Sequence, residues 1–359
     1  MQTQEIIRRR LQNQRLYENM LADPAQVVAW MGAVQAQDYP GALWAVSQRT
    51  YQGSDSLVEN AIGERAFIRT WPMRGTLHFV AAQDARWITE LCAPRILAGA
   101  VARHLRDFQL DEEEFGRSRD ALTQALEGGR RLERDEMFRV LNAAGIYTGA
   151  NRGYHILWRL AQEGLLCFGP RRGGPQTFVL LAEWIPNPLR LEREEALAEL
   201  ARRYFTSHGP ATVQDFAWWS GLTLKDAQSG MEAVRGEFER AEVNGAIYWM
   251  PPELRAPAVD SPHALLLPAY DEYTVAYKDR SAILGPAAAR REDASSEALQ
   301  PVMVIDGQVR GTWKRKLKRD SVNLSFSPFS ALDEAEREAL SAAAERYANH
   351  LALSASSEE

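Results

Sequence analysis

Cysteine is nearly absent: there are two in 359 residues, far short of a disulfide framework. Cys92 and Cys167 each lie inside an apolar stretch, which reads as two buried thiols in a reducing compartment. No apolar run approaches the roughly 20 residues that span a bilayer. The opening Met1-Gln2-Thr3-Gln4-Glu5 lacks the charged-then-apolar layout of a secretory signal. We therefore expect a cytoplasmic protein with no membrane partner. No Cys/His spacing suggests a metal site, and nothing implies a cofactor. The sequence also lacks a glycine-rich phosphate loop, a histidine pair on one helix face and a nucleophile elbow. His78, His104, His155, His208, His263 and His350 are scattered, and a lone histidine is usually structural.

A positive net charge is missing too. The formal value is -6, which argues against a nucleic-acid partner, because a basic footprint is expected there. Net charge is a global sum, however, and binding depends on where the charge lies. Basic clusters stand at Arg8-Arg9-Arg10, Arg130-Arg131, Arg171-Arg172, and Lys314-Arg315-Lys316 with Lys318 and Arg319. Acidic residues gather elsewhere, from Asp111 to Glu114 and in the tail, so a polarised surface is compatible with the sum. Taken singly, each cluster reads as a solvated face.

A hydrophobic fraction of 45% and a charged fraction of 25% are those of an ordinary globular chain. The length predicts two or three domains. A recurring order of elements is visible. Residues 134–141 have helical periodicity and stop near Gly145. Asn151 is placed to cap a second helix that ends at Gly164, and 165–168 and 177–181 read as strands around a basic, turn-rich loop. The order then returns: a helix over 195–206, Thr212 capping 213–219, and Thr223 capping a further helix. A hairpin over 238–243 and 246–250 follows, turning at Asn244-Gly245.

The N-terminal segment fits the same template less cleanly. Helices are predicted over 4–12, over 25–31 behind Asp23-Pro24, and over 41–49 behind Asp38-Tyr39-Pro40. Strands over 66–71 and 76–80 flank 72–75. Beyond Pro251 strands are predicted at 264–267, 302–305, 308–313 and 322–326, with Asp306-Gly307 as a turn, then a helix over 332–347 and a frayed tail. Helix, turn, helix, strand, basic loop, strand is the order of a winged helix-turn-helix. The expected fold is therefore α+β. Tandem winged helix-turn-helix domains occupy 1–110, 111–190 and 191–255, a C-terminal β-rich domain occupies 256–352, and 353–359 form a flexible tail. Such a motif fits its second helix into the major groove, so double-stranded DNA is the expected partner. Two competing readings remain: a non-catalytic DNA-binding regulator and an interaction scaffold with no DNA role.

One segment stands apart. Gly32 before it and Asp38-Tyr39-Pro40 after it place Gln35-Ala36-Gln37 in a connection between helices. In an extended stretch residues i and i+2 project to one side, so two amides can converge on one point. On spacing alone, both glutamines read as turn residues that satisfy backbone groups.

Four stretches together alter that reading: Val34-Gln35-Ala36-Gln37-Asp38-Tyr39-Pro40; Arg69-Thr70-Trp71-Pro72-Met73-Arg74-Gly75-Thr76-Leu77-His78-Phe79-Val80; Leu267-Pro268-Ala269-Tyr270-Asp271-Glu272-Tyr273 with Tyr277-Lys278-Asp279-Arg280; and Asp306-Gly307-Gln308-Val309-Arg310-Gly311-Thr312-Trp313. Through them the chain resembles, along most of its length, the AlkZ/YcaQ family of winged-helix DNA glycosylases. The resemblance implies tandem winged helices and a C-terminal barrel-like domain around a concave DNA-binding surface. The family motif is Gln, an apolar residue, then Gln or Asp; Gln35, Ala36 and Gln37 match it. Glutamine at 37 is similar to the AlkZ branch, whereas aspartate marks the YcaQ branch.

The resemblance implies a monofunctional glycosylase, active as a monomer on double-stranded DNA with alkylated bases. It would hydrolyse the N-glycosidic bond of N7-alkylated purines, and the branch also unhooks interstrand crosslinks. The chemistry is coherent with two amides. Alkylation at N7 makes the base cationic, so it departs without a strong general acid. What remains is to hold a water beside an oxocarbenium-like sugar, which is a proximity effect. An amide oxygen orients water and favours developing positive charge, though it is no base near neutral pH. Gln35 and Gln37 are thus the expected catalytic pair. Asp38 is either a rival base or the cap of the next helix. His78 either faces the lesion or braces its strand, and Asp271 either lines the cleft or makes a buried turn. Arg69, Arg74, Arg171, Arg172, Lys314, Arg315, Lys316, Lys318 and Arg319 are the expected DNA contacts.

Overall fold

The computed structural model describes residues 2–17, 20–252, 262–284 and 299–358. The expected boundary between 255 and 256 lies outside them. In chain order the elements begin with α1 (Thr3–Asn13), α2 (Pro24–Met31), β1 (Val34–Gln35), α3 (Tyr39–Ser47), α4 (Asp55–Gly63), β2 (Phe67–Met73), β3 (Thr76–Ala81) and α5 (Ala85–Phe108). Next come α6 (Glu112–Leu126), β4 (Leu132–Glu133), α7 (Arg134–Ala143), α8 (Arg152–Gln162), β5 (Leu166–Arg171), β6 (Gln176–Leu180) and α9 (Leu181–Trp184). Then follow α10 (Arg193–His208), α11 (Val213–Ser220), α12 (Leu224–Val234), β7 (Glu239–Val243) and β8 (Ala246–Met250). The last are β9 (Ala264–Leu267), α13 (Glu272–Val275), β10 (Val302–Ile305), β11 (Gln308–Leu317), β12 (Ser321–Pro328), α14 (Glu334–His350) and β13 (Ser354–Glu358). No helix of the described residues is long and apolar enough to cross a membrane.

The α+β chain divides into two compact units. One comprises Met1–Val58, Ala198–Trp219 and Thr223–Glu359; the other comprises Glu59–Leu197 and Ser220–Leu222.

The first unit carries the C-terminal sheet, in the order β13-β12-β11-β10-β9. Its strands β9 and β10 are apolar and buried at every position, because both of their faces are covered. Ala264, Leu266, Met303 and Ile305 pack with Leu340, Ala344 and Tyr347 of α14. Leu265, Leu267, Val302 and Val304 face the other way, onto Ile7 and Leu11 of α1. The β10–β11 turn is Asp306-Gly307, with φ of 48° and 78° at its two residues, the left-handed pair a tight hairpin requires. Asn244-Gly245 repeats this at β7–β8, with φ of 51° and 78°. Residues 354–358 differ from the frayed tail expected: β13 pairs in parallel with β12, Ser321 opposite Ser354. The edge of β12 offers backbone partners there, which small polar residues accept as readily as apolar ones.

In the second unit, five strands run in the order β3-β2-β5-β6-β4. The β2–β3 hairpin turns at Arg74-Gly75, where φ is 53° and 71°. Its core gathers Trp71, Leu77, Leu122, Leu141, Ile156, Leu160 and Phe178. Asn151 stands at the N-cap position of α8 without a side-chain cap bond, because it takes a left-handed backbone (φ 65°) rather than the extended one a capping side chain needs. Asp23 and Thr223 do cap as expected, accepting from the amides of Gln26 and Asp226. Cys92 and Cys167 are buried free thiols.

Candidate active site

The Gln35–Gln37 segment belongs to the first unit. Helix α2 stops at Gly32, whose φ of 74° disfavours a side chain. The chain then runs extended. Val34 and Ala36 are buried at 1% and 0% exposure, while Gln35 is half-buried and Gln37 is exposed. This alternation turns the two amides outward from the side that Ala36 buries.

Asp38 occupies the N-cap position of α3 but makes no side-chain cap bond. Its carboxylate lies back over Gly41 instead: a Cβ at Gly41 would stand 2.6 Å from Asp38 Oδ2 and 3.1 Å from Pro268 Cβ. Glycine at 41 is therefore what admits this placement. Asp38, Gly41, Trp44, Trp313, Lys314 and Arg315 line a cleft of about 40 Å³. That is room for about one water and far less than a purine needs.

Beneath the segment lies a set of buried polar side chains. The Gln35 backbone N–H donates to Glu272 Oε1 at 2.7 Å. Glu272 Oε2 accepts from Trp219 Nε1–H at 2.9 Å and stands 3.5 Å from His208 Nε2. The three side chains are fully buried. Burial pushes the His208 imidazole below its ordinary value, against the opposite pull of Glu272. The neighbouring Asp271 binds Arg49, just beyond the end of α3, through bonds of 2.8 and 2.9 Å. Asp271 also caps α13 by accepting from the Tyr273 amide.

The basic residues of this unit follow the β11–β12 hairpin. Lys314, Lys316, Lys318 and Arg319 are exposed. Arg315 points to the opposite face from Lys314 and Lys316 and donates to the Tyr347 hydroxyl. Lys314 and Arg315 thus share the cleft with Asp38, while Lys316, Lys318 and Arg319 stand toward the hairpin tip.

The remaining expected residues lie in the second unit. Arg69 donates to Gln176 Oε1 at 2.6 Å and stands 5.0 Å over the Phe168 ring. Arg74 is half-buried at the β2–β3 turn, with Gly221 against it: a Cβ there would come within 2.9 Å of Arg74 Cγ. His78 is fully buried, and its Nδ1 lies 2.9 Å from the Thr76 carbonyl oxygen, which fixes Nδ1 as the donor. Arg171 pairs with Glu59 at 3.1 Å and Arg172 with Glu136 at 3.4 Å.

Sequence reasoning missed Glu272, Trp219, His208 and Arg49. Glu272 sits inside a stretch that carried the resemblance, but attention fell on Asp271. Trp219 and His208 carried no signal, being distant in the chain from Gln35.

Comparison with known proteins agrees with this architecture. The solved Streptomyces sahachiroi DNA glycosylase AlkZ is similar in fold, with a TM-score of 0.80 and 22% identity over 100% of both chains. An interstrand DNA cross-link repair glycosylase of Streptomyces sahachiroi is 26% identical over 326 residues, covering 85% of each chain. The model of the DNA glycosylase AlkZ-like family matches residues 28–350. The chain belongs to that family, and is accordingly a DNA glycosylase.

Proposed function

We propose that this glycosylase is monofunctional and acts on N7-alkylated purines in double-stranded DNA, with Gln35 and Gln37 holding the attacking water. The observation that carries the reading is the extended segment with Ala36 at 0% exposure between two outward amides. The bonding pair of C1′–N9 leaves with the cationic base, which departs neutral. The water oxygen bonds to C1′, and its proton passes to solvent. The amide oxygens accept hydrogen bonds from that water and face the positive charge on the sugar. Asp38 adds a carboxylate beside a cleft of about 40 Å³, an electrostatic support for the same cation.

Lys314, Arg315, Lys316, Lys318 and Arg319 are phosphate contacts of the first unit in this reading, and Arg69, Arg74, Arg171 and Arg172 are those of the second. His78 braces its strand in this reading. The helix orders α6-α7-α8 with β4, β5 and β6, and α10-α11-α12 with β7 and β8, serve as winged helices that present helices to DNA. Interstrand crosslinks are a further substrate in this reading, by analogy with the interstrand DNA cross-link repair glycosylase of Streptomyces sahachiroi. The protein works as a cytoplasmic monomer.

The test is base release from duplex DNA carrying N7-methylguanine or a nitrogen-mustard crosslink. Wild type is compared with Gln37→Ala and with Gln35→Ala/Gln37→Ala. Release should fall at least 100-fold in the double variant, a magnitude of the order found for removal of a transition-state hydrogen bond. No release by wild type overturns the substrate class. Release that survives the double substitution overturns the role of the glutamines.

A further inference from the structure

A fully buried carboxylate needs a reason, because its desolvation is costly unless its oxygens are matched by donors. Asp271 has that match in Arg49. Glu272 is matched differently: one oxygen takes the Gln35 amide at 2.7 Å, the other the Trp219 indole at 2.9 Å. Both oxygens of this fully buried side chain thus accept from an N–H. The same Trp219 ring supports the turn before Gln35, its Cη2 lying 3.6 Å from where a Cβ of Gly32 would be. Two consecutive acids therefore hold the two ends of one segment. Glu272 holds Gln35 at its start, and Asp271 holds Arg49 past the end of α3.

We infer that Glu272 is a positioning residue for the reaction: its carboxylate fixes the backbone of Gln35, and through it the direction of the Gln35 amide. The inference rests on the water-positioning reading of that glutamine. Glu272 touches no reacting atom. Its replacement by glutamine keeps size and shape but leaves one acceptor oxygen for two N–H donors, so an amide N–H₂ must face either the Gln35 N–H or the Trp219 N–H. The clash falls either on the Gln35 backbone or on the Trp219 ring that supports the turn before it.

The experiment measures single-turnover release of N7-methylguanine from duplex DNA by wild type, Glu272→Gln, Gln35→Ala and the double variant. Affinity for undamaged duplex is measured beside it. We expect Glu272→Gln to slow release about 10-fold or more at unchanged duplex affinity, and to slow Gln35→Ala no further. A merely structural role would lower release in both backgrounds alike. Wild-type release by Glu272→Gln, or an equal further loss in the Gln35→Ala background, overturns the inference alone. Wild-type release by Gln35→Ala overturns the catalytic reading and this inference with it. Should Glu272→Gln fail to fold, Trp219→Phe removes one orienting donor while keeping the ring. The same dependence on Gln35 is expected of it, and an equal loss in both backgrounds overturns the inference.

Discussion

Arg49→Met is the sharpest test of what holds the candidate site together. The side chains of Arg49 and Asp271 are both 0% exposed. The guanidinium donates twice to the carboxylate, at 2.8 and 2.9 Å. It also donates to the carbonyl oxygens of Gln14 and Ala45, at 2.9 and 2.8 Å, and to Gln14 Oε1 at 3.1 Å. Methionine keeps the length and the apolar stem but strands a buried carboxylate. Removing one partner of a buried pair costs about 3–5 kcal/mol, well above the net worth of the pair itself. The double variant Arg49→Met/Asp271→Leu removes the stranded charge. It still loses the cap that Asp271 provides to the Tyr273 amide at 2.9 Å, about 1 kcal/mol, so it should be less destabilised than the single variant. Urea unfolding followed by tryptophan fluorescence measures both. A single variant that loses less than about 1 kcal/mol, or a double variant no more stable than the single, refutes the reasoning.

Gly307→Ala should cost about 2–4 kcal/mol, from left-handed strain and overpacking together. Its φ is 78°, and a Cβ would collide with Ile7 Cγ2 and lie 2.9 Å from Leu11 Cδ1; an unchanged melting temperature counts against the packing of α1 on the sheet. Acid should weaken the fold through His104 and His350. Burial lowers both to about 4 from an ordinary 6.5, with His155 acting further on His104 and Arg315 on His350. Between those values the unfolded chain binds protons that the native one does not, so stability is full above about 6.5 and falls toward 4. The His350 share is roughly 3 kcal/mol, and a urea midpoint unchanged between pH 7 and pH 4.5 contradicts it. Burial pushes the Cys92 thiol up to about 12 and Cys167 higher still. A thiol reagent at pH 8 should titrate neither cysteine in the native protein and both in denaturant, and a fast native reaction refutes their burial.

Local signals made much of the fold legible. Asn244-Gly245 and Asp306-Gly307 turn where hairpin chemistry predicts, because only a left-handed pair closes so short a loop. Helices α7, α8, α11 and α12 follow their apolar period and their stops. The 24-residue helix α5 went unread. Pro94 inside it and apolar residues left exposed in its C-terminal half, such as Val101 and Leu105, blur its period. Neither was it legible that α1 covers the face of β9 and β10 formed by Leu265, Leu267, Val302 and Val304. An all-apolar strand announces that both faces are buried, but it does not say by what.

The candidate site divides along the same line. Gln35 and Gln37 carry no charge and no distinctive spacing, so their residue types alone made them turn residues; only the longer stretches around them singled them out. Ala36 at 0% exposure gives that motif a physical sense, since its apolar middle residue is the anchor that turns both amides outward. Glu272 is harder still, because an acid in sequence reads as surface. Its meaning comes from donors at Gln35 and Trp219, 237 and 53 positions away. A neutral amide has little intrinsic power over water, so the proposed role of the glutamines depends on their being held still. The carboxyl group that accepts from the Gln35 amide is buried beneath the backbone. On the proposed role of Gln35, the least conspicuous acid of the Tyr270–Tyr273 stretch is the one placed to hold it.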